Sequence, residues 1–215
     1  MNIQIVIFDG FEELDAIGPY EIWRLATDLK PDVDVQLVTL EVRTEITAAN
    51  GLRVRPDGRL GATRPDLVVV PGGGWLSRAT AGIWAEVQHG VLPAKLAQLH
   101  RDGVVMSSVC TGAMLLALAG LLKNRSATTN RAAMDDLRAA GAQVIPERVV
   151  DDGDIVTAGG ITCGLDLGLW LVERFLGAQA AHTLEERLEY ERRGTVWRSS
   201  GKQQLTGPFR DSGLK

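Results

Sequence analysis

The sequence predicts an α/β fold, a doubly wound sandwich with a mostly parallel central sheet, and three observations predict it. Short β-branched runs alternate with helical patterns along the whole chain, which calls for parallel strands joined by helical crossovers. Several runs are apolar at nearly every position, as in Leu67-Val68-Val69-Val70, and so suit strands covered on both faces. The 215 residues, 45% of them hydrophobic, are enough for one substantial core and do not demand two.

Taken in order, Ile3–Phe8 is the first strand, stopped by Asp9-Gly10. Glu12–Ala26 follows as a helix with Leu14, Ile17, Ile22 and Leu25 on one face, and Gly18-Pro19 is expected to kink or interrupt it. Val33–Leu40, Leu67–Val70 and Val104–Val109 are further strands; Ile83–Arg101 and Thr111–Leu122 read as helices. Residues 128–141 form a capped helix that starts at Asn130 and stops at Gly141. Ile155–Ala158 is a short strand, and Gly164–Leu176 an apolar helix. From Ala178 to about Arg193 the pattern is polar and helical. Residues 1–193 therefore read as a single domain and 194–215, with Gly, Ser, Gln and Pro and little periodicity, as a C-terminal extension.

A charged fraction of 23% and a mean hydropathy of +0.02 are those of a chain that folds by itself. The net charge of -4 offers no general field for phosphates, so nucleic acid is not an expected partner. The loose group Arg192, Arg193, Arg198, Lys202 and Arg210 reads as a solvated segment. The opening residues Met1–Phe8 lack a basic n-region and are too short an apolar run for a signal or a membrane span, which points to the cytoplasm and to no membrane partner. The two cysteines, Cys110 and Cys163, are far apart and form neither a disulfide framework nor a metal knuckle.

Chemistry concentrates in three stretches. In Val104–Ala113 a buried strand runs through Ser107-Ser108-Val109 into Cys110-Thr111-Gly112 and directly into a helix, the layout of a nucleophile elbow. A cysteine there sits at a helix N-terminus, whose free N–H groups and dipole are expected to lower the thiol pKa. Cys163 opens an apolar helix without an evident partner and reads as a buried small residue. In Asp66–Gly74 a core strand ends in three glycines, and Gly73 and Gly74 are candidates for an oxyanion or substrate-binding site beside the N–H groups of Cys110 and Thr111. In Phe8–Pro19 acidic residues open a helix; Glu12 and Glu13 complement its N-terminus. Asp15, between apolar Leu14 and Ala16-Ile17, would have a raised pKa if its face met the cysteine, and could then exchange a proton there. His89, His100 and His182 are not beside Cys110 in sequence, so neither a Cys-His pair nor a metal site is expected.

Asp15-Ala16-Ile17-Gly18-Pro19, Pro71-Gly72-Gly73, Cys110-Thr111-Gly112-Ala113, Ala119-Gly120-Leu121-Leu122, and Gly159-Gly160-Ile161-Thr162 with Asp166 together resemble the DJ-one/ThiJ/PfpI superfamily. Asp at 15 and Thr at 111 are similar to its isonitrile hydratase branch, whereas Asn130 stands where many relatives carry histidine. The resemblance implies a flavodoxin-like fold of the class I glutamine amidotransferase-like kind, a homodimer, and no cofactor. It implies a small-molecule hydratase in which Cys110 attacks an isocyanide, Asp15 is the acid/base, Thr111 is a backbone donor, and the product is an N-substituted formamide. Two other functions use the same thiol: a ligand or redox sensor without turnover, and a glyoxalase or deglycase.

Overall fold

The structure, a computed structural model, describes residues 1–199. In chain order these form β1 (Asn2–Val6), α1 (Glu13–Leu29), β2 (Asp34–Thr39), β3 (Ile46–Thr47), β4 (Arg53–Val54), β5 (Gly58–Arg59) and β6 (Leu67–Val70). Then come α2 (Ile83–His89), α3 (Val91–Arg101), β7 (Val105–Ser108), α4 (Gly112–Leu118), β8 (Ser126–Ala127), a 3-10 turn at Arg131–Ala133 and α5 (Met134–Ala139). The remainder is β9 (Gln143–Val144), β10 (Val149–Asp151), β11 (Ile155–Ala158), α6 (Cys163–Leu176), α7 (Ala178–Leu188) and β12 (Trp197–Arg198).

The main sheet has the order β12-β10-β11-β7-β6-β1-β2-β5, and every pairing in it is parallel except β10 with β11. β6 is buried at every position, which is why it reads as a continuous apolar run rather than an alternating one; β7 is equally buried, with the Ser107 hydroxyl donating to the Val68 carbonyl at 3.1 Å. Helices α1, α6 and α7 pack together, and α2, α3 and α4 form a second group. From β1 the chain steps to β2 on one side, whereas β6, on the other side of β1, leads on to β7 and β11. Right-handed crossovers running in opposite directions place the two helix groups on opposite faces, which is the expected doubly wound sandwich.

Three helix expectations are corrected. α1 runs unbroken through Gly18-Pro19 to Leu29. Pro19 has no N–H for the Asp15 carbonyl, a defect worth about 3 kcal/mol in an isolated helix; here α1 packs along α6, with Pro19 against Gly164, and tertiary contact outweighs it. Residues 83–101 form two helices, because Gly90 adopts the left-handed conformation (φ 71°) that caps α2 before α3 begins. The helix expected over 128–141 is a 3-10 turn followed by α5, with Asn130 capping the turn through its side chain to the Ala132 N–H at 3.0 Å.

After α7 the chain returns to the sheet. The buried Asp166 carboxylate receives Arg148, the Tyr190 hydroxyl at 3.2 Å and the Arg193 N–H at 3.0 Å, and this anchors the segment that ends in β12. Of the expected extension at 194–215, residues 200–215 lie outside the described residues.

Candidate active site

Three loops meet where the sheet order reverses. The chain leaves β1 for α1, whose third residue is the fully buried Asp15; it leaves β6 through Pro71-Gly72-Gly73; and it leaves β7 through Val109 to Cys110 and α4. Because β1, β6 and β7 are neighbours and parallel, their carboxyl ends lie side by side, the place where doubly wound sheets hold ligands.

Cys110 takes a left-handed backbone conformation, φ 56°, that costs a non-glycine residue about 1–3 kcal/mol. The surroundings hold it there. Its N–H donates to the carbonyls of Gly159 (2.7 Å) and Ala158 (3.1 Å), and its own carbonyl accepts the Thr129 hydroxyl at 2.8 Å. Gly112 completes the elbow: a Cβ at this position would collide with the Val70 carbonyl, so only glycine lets α4 start this close to β6.

Around the sulfur, Asn130 Nδ2 lies at 3.5 Å, and the backbone N–H groups of Thr111 and Ile161 also donate to it. Asp15 Oδ2 accepts the Gly72 N–H at 2.9 Å. Its other oxygen meets no N–H or O–H donor, which leaves the Cys110 thiol as the remaining side-chain donor within reach of the carboxyl. Gly72 is the glycine this contact requires, since a Cβ there would press on the Thr111 hydroxyl and on Asp15 Oδ2. Burial pushes the Asp15 carboxyl up to about 7, against the opposing Gly72 hydrogen bond, with the negative charge of Glu12 adding to the rise. The expected rise at Asp15 is therefore present.

The expectation for the thiol is corrected. Burial first, and the Asp15 carboxylate second, push Cys110 up to about 11, and the donors from Asn130, Thr111 and Ile161 offset this only in part. With α4 only seven residues long and Cys110 only 6% exposed, desolvation outweighs the favourable helix end. The resting thiol therefore faces a carboxyl that titrates near neutrality.

The fold thus brings Cys110, Asp15, Thr111 and Gly73 together. Gly73 does not offer a free donor, because its N–H is given to the Thr111 hydroxyl at 3.1 Å; Gly74 faces Ala79, Ala81 and Gly82. The donors that reach the sulfur are Thr111, whose N–H was expected to serve a substrate oxyanion, and two not expected there, Asn130 and Ile161. Asn130 was legible as a cap, which uses its oxygen and leaves the amide nitrogen for the sulfur. Ile161 stands in the Gly159–Thr162 motif, and its φ of 43°, rare for a β-branched residue, turns its N–H inward.

Cys163 is buried at the start of α6, and burial raises its thiol while Arg148 opposes. His100 binds Asp154 at 2.8 Å, His182 lies beside Glu185 and Glu186, and His89 ends α2, so none of the three is among the partners of Cys110. Among the described residues, no cluster of histidine, cysteine and acidic side chains could hold a metal, and no helix is long and apolar enough to cross a membrane.

Comparison with known proteins finds related chains. Isonitrile hydratase of Pseudomonas putida is 33% identical over 191 residues, covering 88% of this chain and 78% of that protein. Deglycase TK1284 of Thermococcus kodakarensis is 30% identical over 161 residues, 74% of this chain and 89% of that one. A crystal structure of a ThiJ/PfpI family protein from Pseudomonas syringae superposes with a TM-score of 0.77 at 27% identity, over 90% of this chain and 76% of that one. The DJ-1/PfpI family matches residues 1–174, a span that takes in all three loops around Cys110, and the chain belongs to that family.

Proposed function

We propose that the protein hydrates an isocyanide to an N-substituted formamide, a lyase-type addition of water carried by Cys110 and Asp15. The observation that carries this reading is the facing of a buried cysteine and a buried carboxyl whose second oxygen meets no N–H or O–H donor. A carboxyl with a pKa of about 7 takes and returns a proton near neutrality with little driving force lost in either direction. The 33% identity to a protein named isonitrile hydratase supports the same reading.

The steps balance on these groups. The Asp15 carboxylate takes the thiol proton as the sulfur adds to the terminal isocyanide carbon, and Asp15 then delivers that proton to the same carbon, giving an enzyme-bound thioimidate. Water adds across its C=N bond, hydroxyl to carbon and proton to nitrogen; as the adduct collapses and the C–S bond breaks, the hydroxyl proton passes to the Asp15 carboxylate, which returns it to the departing Cys110 sulfur and leaves the formamide. The Asn130 amide and the Thr111 and Ile161 N–H groups hold the sulfur in place and stabilise it while it is charged.

Incubation with n-butyl isocyanide should yield N-butylformamide well above a Cys110→Ala control. No formamide above that control, with methylglyoxal consumed instead, would replace this reading with a deglycase-type one, for which the 30% likeness to Deglycase TK1284 is the supporting observation.

A further inference from the structure

The loop after β6 continues past Gly74 to Trp75, whose indole Nε1 donates to Asp136 Oδ2 at 2.6 Å. The Trp75 ring stands edge-on to Trp84, with centroids 5.2 Å apart and planes at 61°, and the Arg78 guanidinium lies 4.5 Å from the Trp84 ring centre. Asp136 belongs to α5, six residues beyond Asn130. Both ends of this bridge therefore grow from segments that hold the reacting groups: Gly73 donates to Thr111 on one side, and Asn130 donates to the sulfur on the other. The contacts close a ring through Cys110, Asn130, Asp136, Trp75, Gly73 and Thr111.

None of the proton transfers uses Trp75 or Asp136. A hydrogen bond to a carboxylate is among the stronger kinds, and this one joins two loops that leave different strands. The Trp75 loop lies between left-handed glycines, Gly73 and Gly74 before it (φ 120° and 72°) and Gly82 after it (φ 93°); its base is closed by the Ile83 N–H to the Gly73 carbonyl at 2.8 Å, and the Trp75–Asp136 hydrogen bond ties its outer part to α5.

We propose that the Trp75–Asp136 bridge is a latch that sets the width of the approach to Cys110, making Trp75 and Asp136 determinants of substrate size. The latch confines the reaction to electrophiles carrying a slender substituent. This deepens the reading of Cys110 as the reacting sulfur and rests on it, without depending on which electrophile is the substrate.

The test compares the rates at which the Cys110 peptide of the full chain is alkylated by a small reagent, iodoacetamide, and a bulky one, N-benzylmaleimide. Trp75→Phe keeps a ring and loses the donor; Asp136→Ala loses the acceptor. Each should raise the bulky-to-small rate ratio by about fivefold, the shift given by the loss of one net hydrogen bond. The double variant should match either single one, because both remove the same contact. A ratio unchanged in either single variant, or effects that multiply in the double, overturns the latch. Alkylation reads Cys110 whatever its substrate, so the latch can fail with isocyanide hydration standing, and hydration can fail with the latch intact.

Discussion

A carboxyl lifted by burial from its ordinary 3.8 to about 7 holds its proton more tightly in the folded chain than in the unfolded one. The folded state is then favoured while Asp15 is protonated and loses that advantage as the pH rises from about 4 to about 7, beyond which the deficit is constant. Asp15→Asn removes the titration and keeps the shape, so it should melt higher than the wild type at pH 8, by up to a few kcal/mol of stability, and converge with it near pH 4. The same variant should lose turnover by about 100-fold or more. The wild-type kcat/KM should rise as the pH climbs through about 7, where the pair comes to hold a single proton, and this limb should vanish in the variant. An Asn variant that melts lower at pH 8, or that keeps its turnover, would show the buried carboxylate to be a structural group. At this scale Asp15 was legible because apolar neighbours on both sides mark an acid that faces inward. The position of the thiol pKa was not legible, since it depends on how deeply the sulfur is buried and on which carboxylate lies opposite, and both are decided by residues nearly a hundred positions away.

Elements were read well where periodicity is strong and poorly where a local breaker competes with packing. Leu67–Val70 and Ile155–Ala158 have the bounds expected, because continuous β-branched runs with turn residues on each side admit no other period. Gly90 and Pro19 show the two outcomes for a breaker. Pro19 lies where α1 meets α6 and is overruled by that contact, while Gly90, with nothing within 4 Å of the place its Cβ would occupy, is left to its own preference and ends α2. Gly90→Ala should thus cost about 1 kcal/mol through backbone strain alone. For a chain of this size that is a fall of about 2–4 °C in Tm, with activity per folded molecule unchanged. A variant as stable as the wild type would mean that the α2–α3 break does not depend on the left-handed residue.

For the whole molecule, the homodimer implied by the family resemblance stands as a proposal. Leu14, 36% exposed, and Ile161, 40% exposed, are large apolar side chains on the two segments that carry Asp15 and hold the sulfur, and a second copy seated there would shelter both. Light scattering of the purified chain should give twice the 23.2 kDa of one copy; a mass of one copy at micromolar concentration would set the dimer aside.

The alternation of strands and helices, the doubly wound class, and the placing of Cys110 on an elbow and Asp15 on an inward helix face were determined by the sequence itself, because side-chain period and local turn chemistry carry that information over a few residues. The switch point that sets Asp15, Gly72 and Cys110 side by side was decided only by the tertiary structure. So were the turning of Asn130 and Ile161 toward the sulfur, the spending of the Gly73 N–H on Thr111, and the bridge from Trp75 to Asp136. Each of these is a meeting of residues far apart in the chain, and strand order and burial, rather than neighbouring sequence, fix which groups share a space and what that space does to their charges.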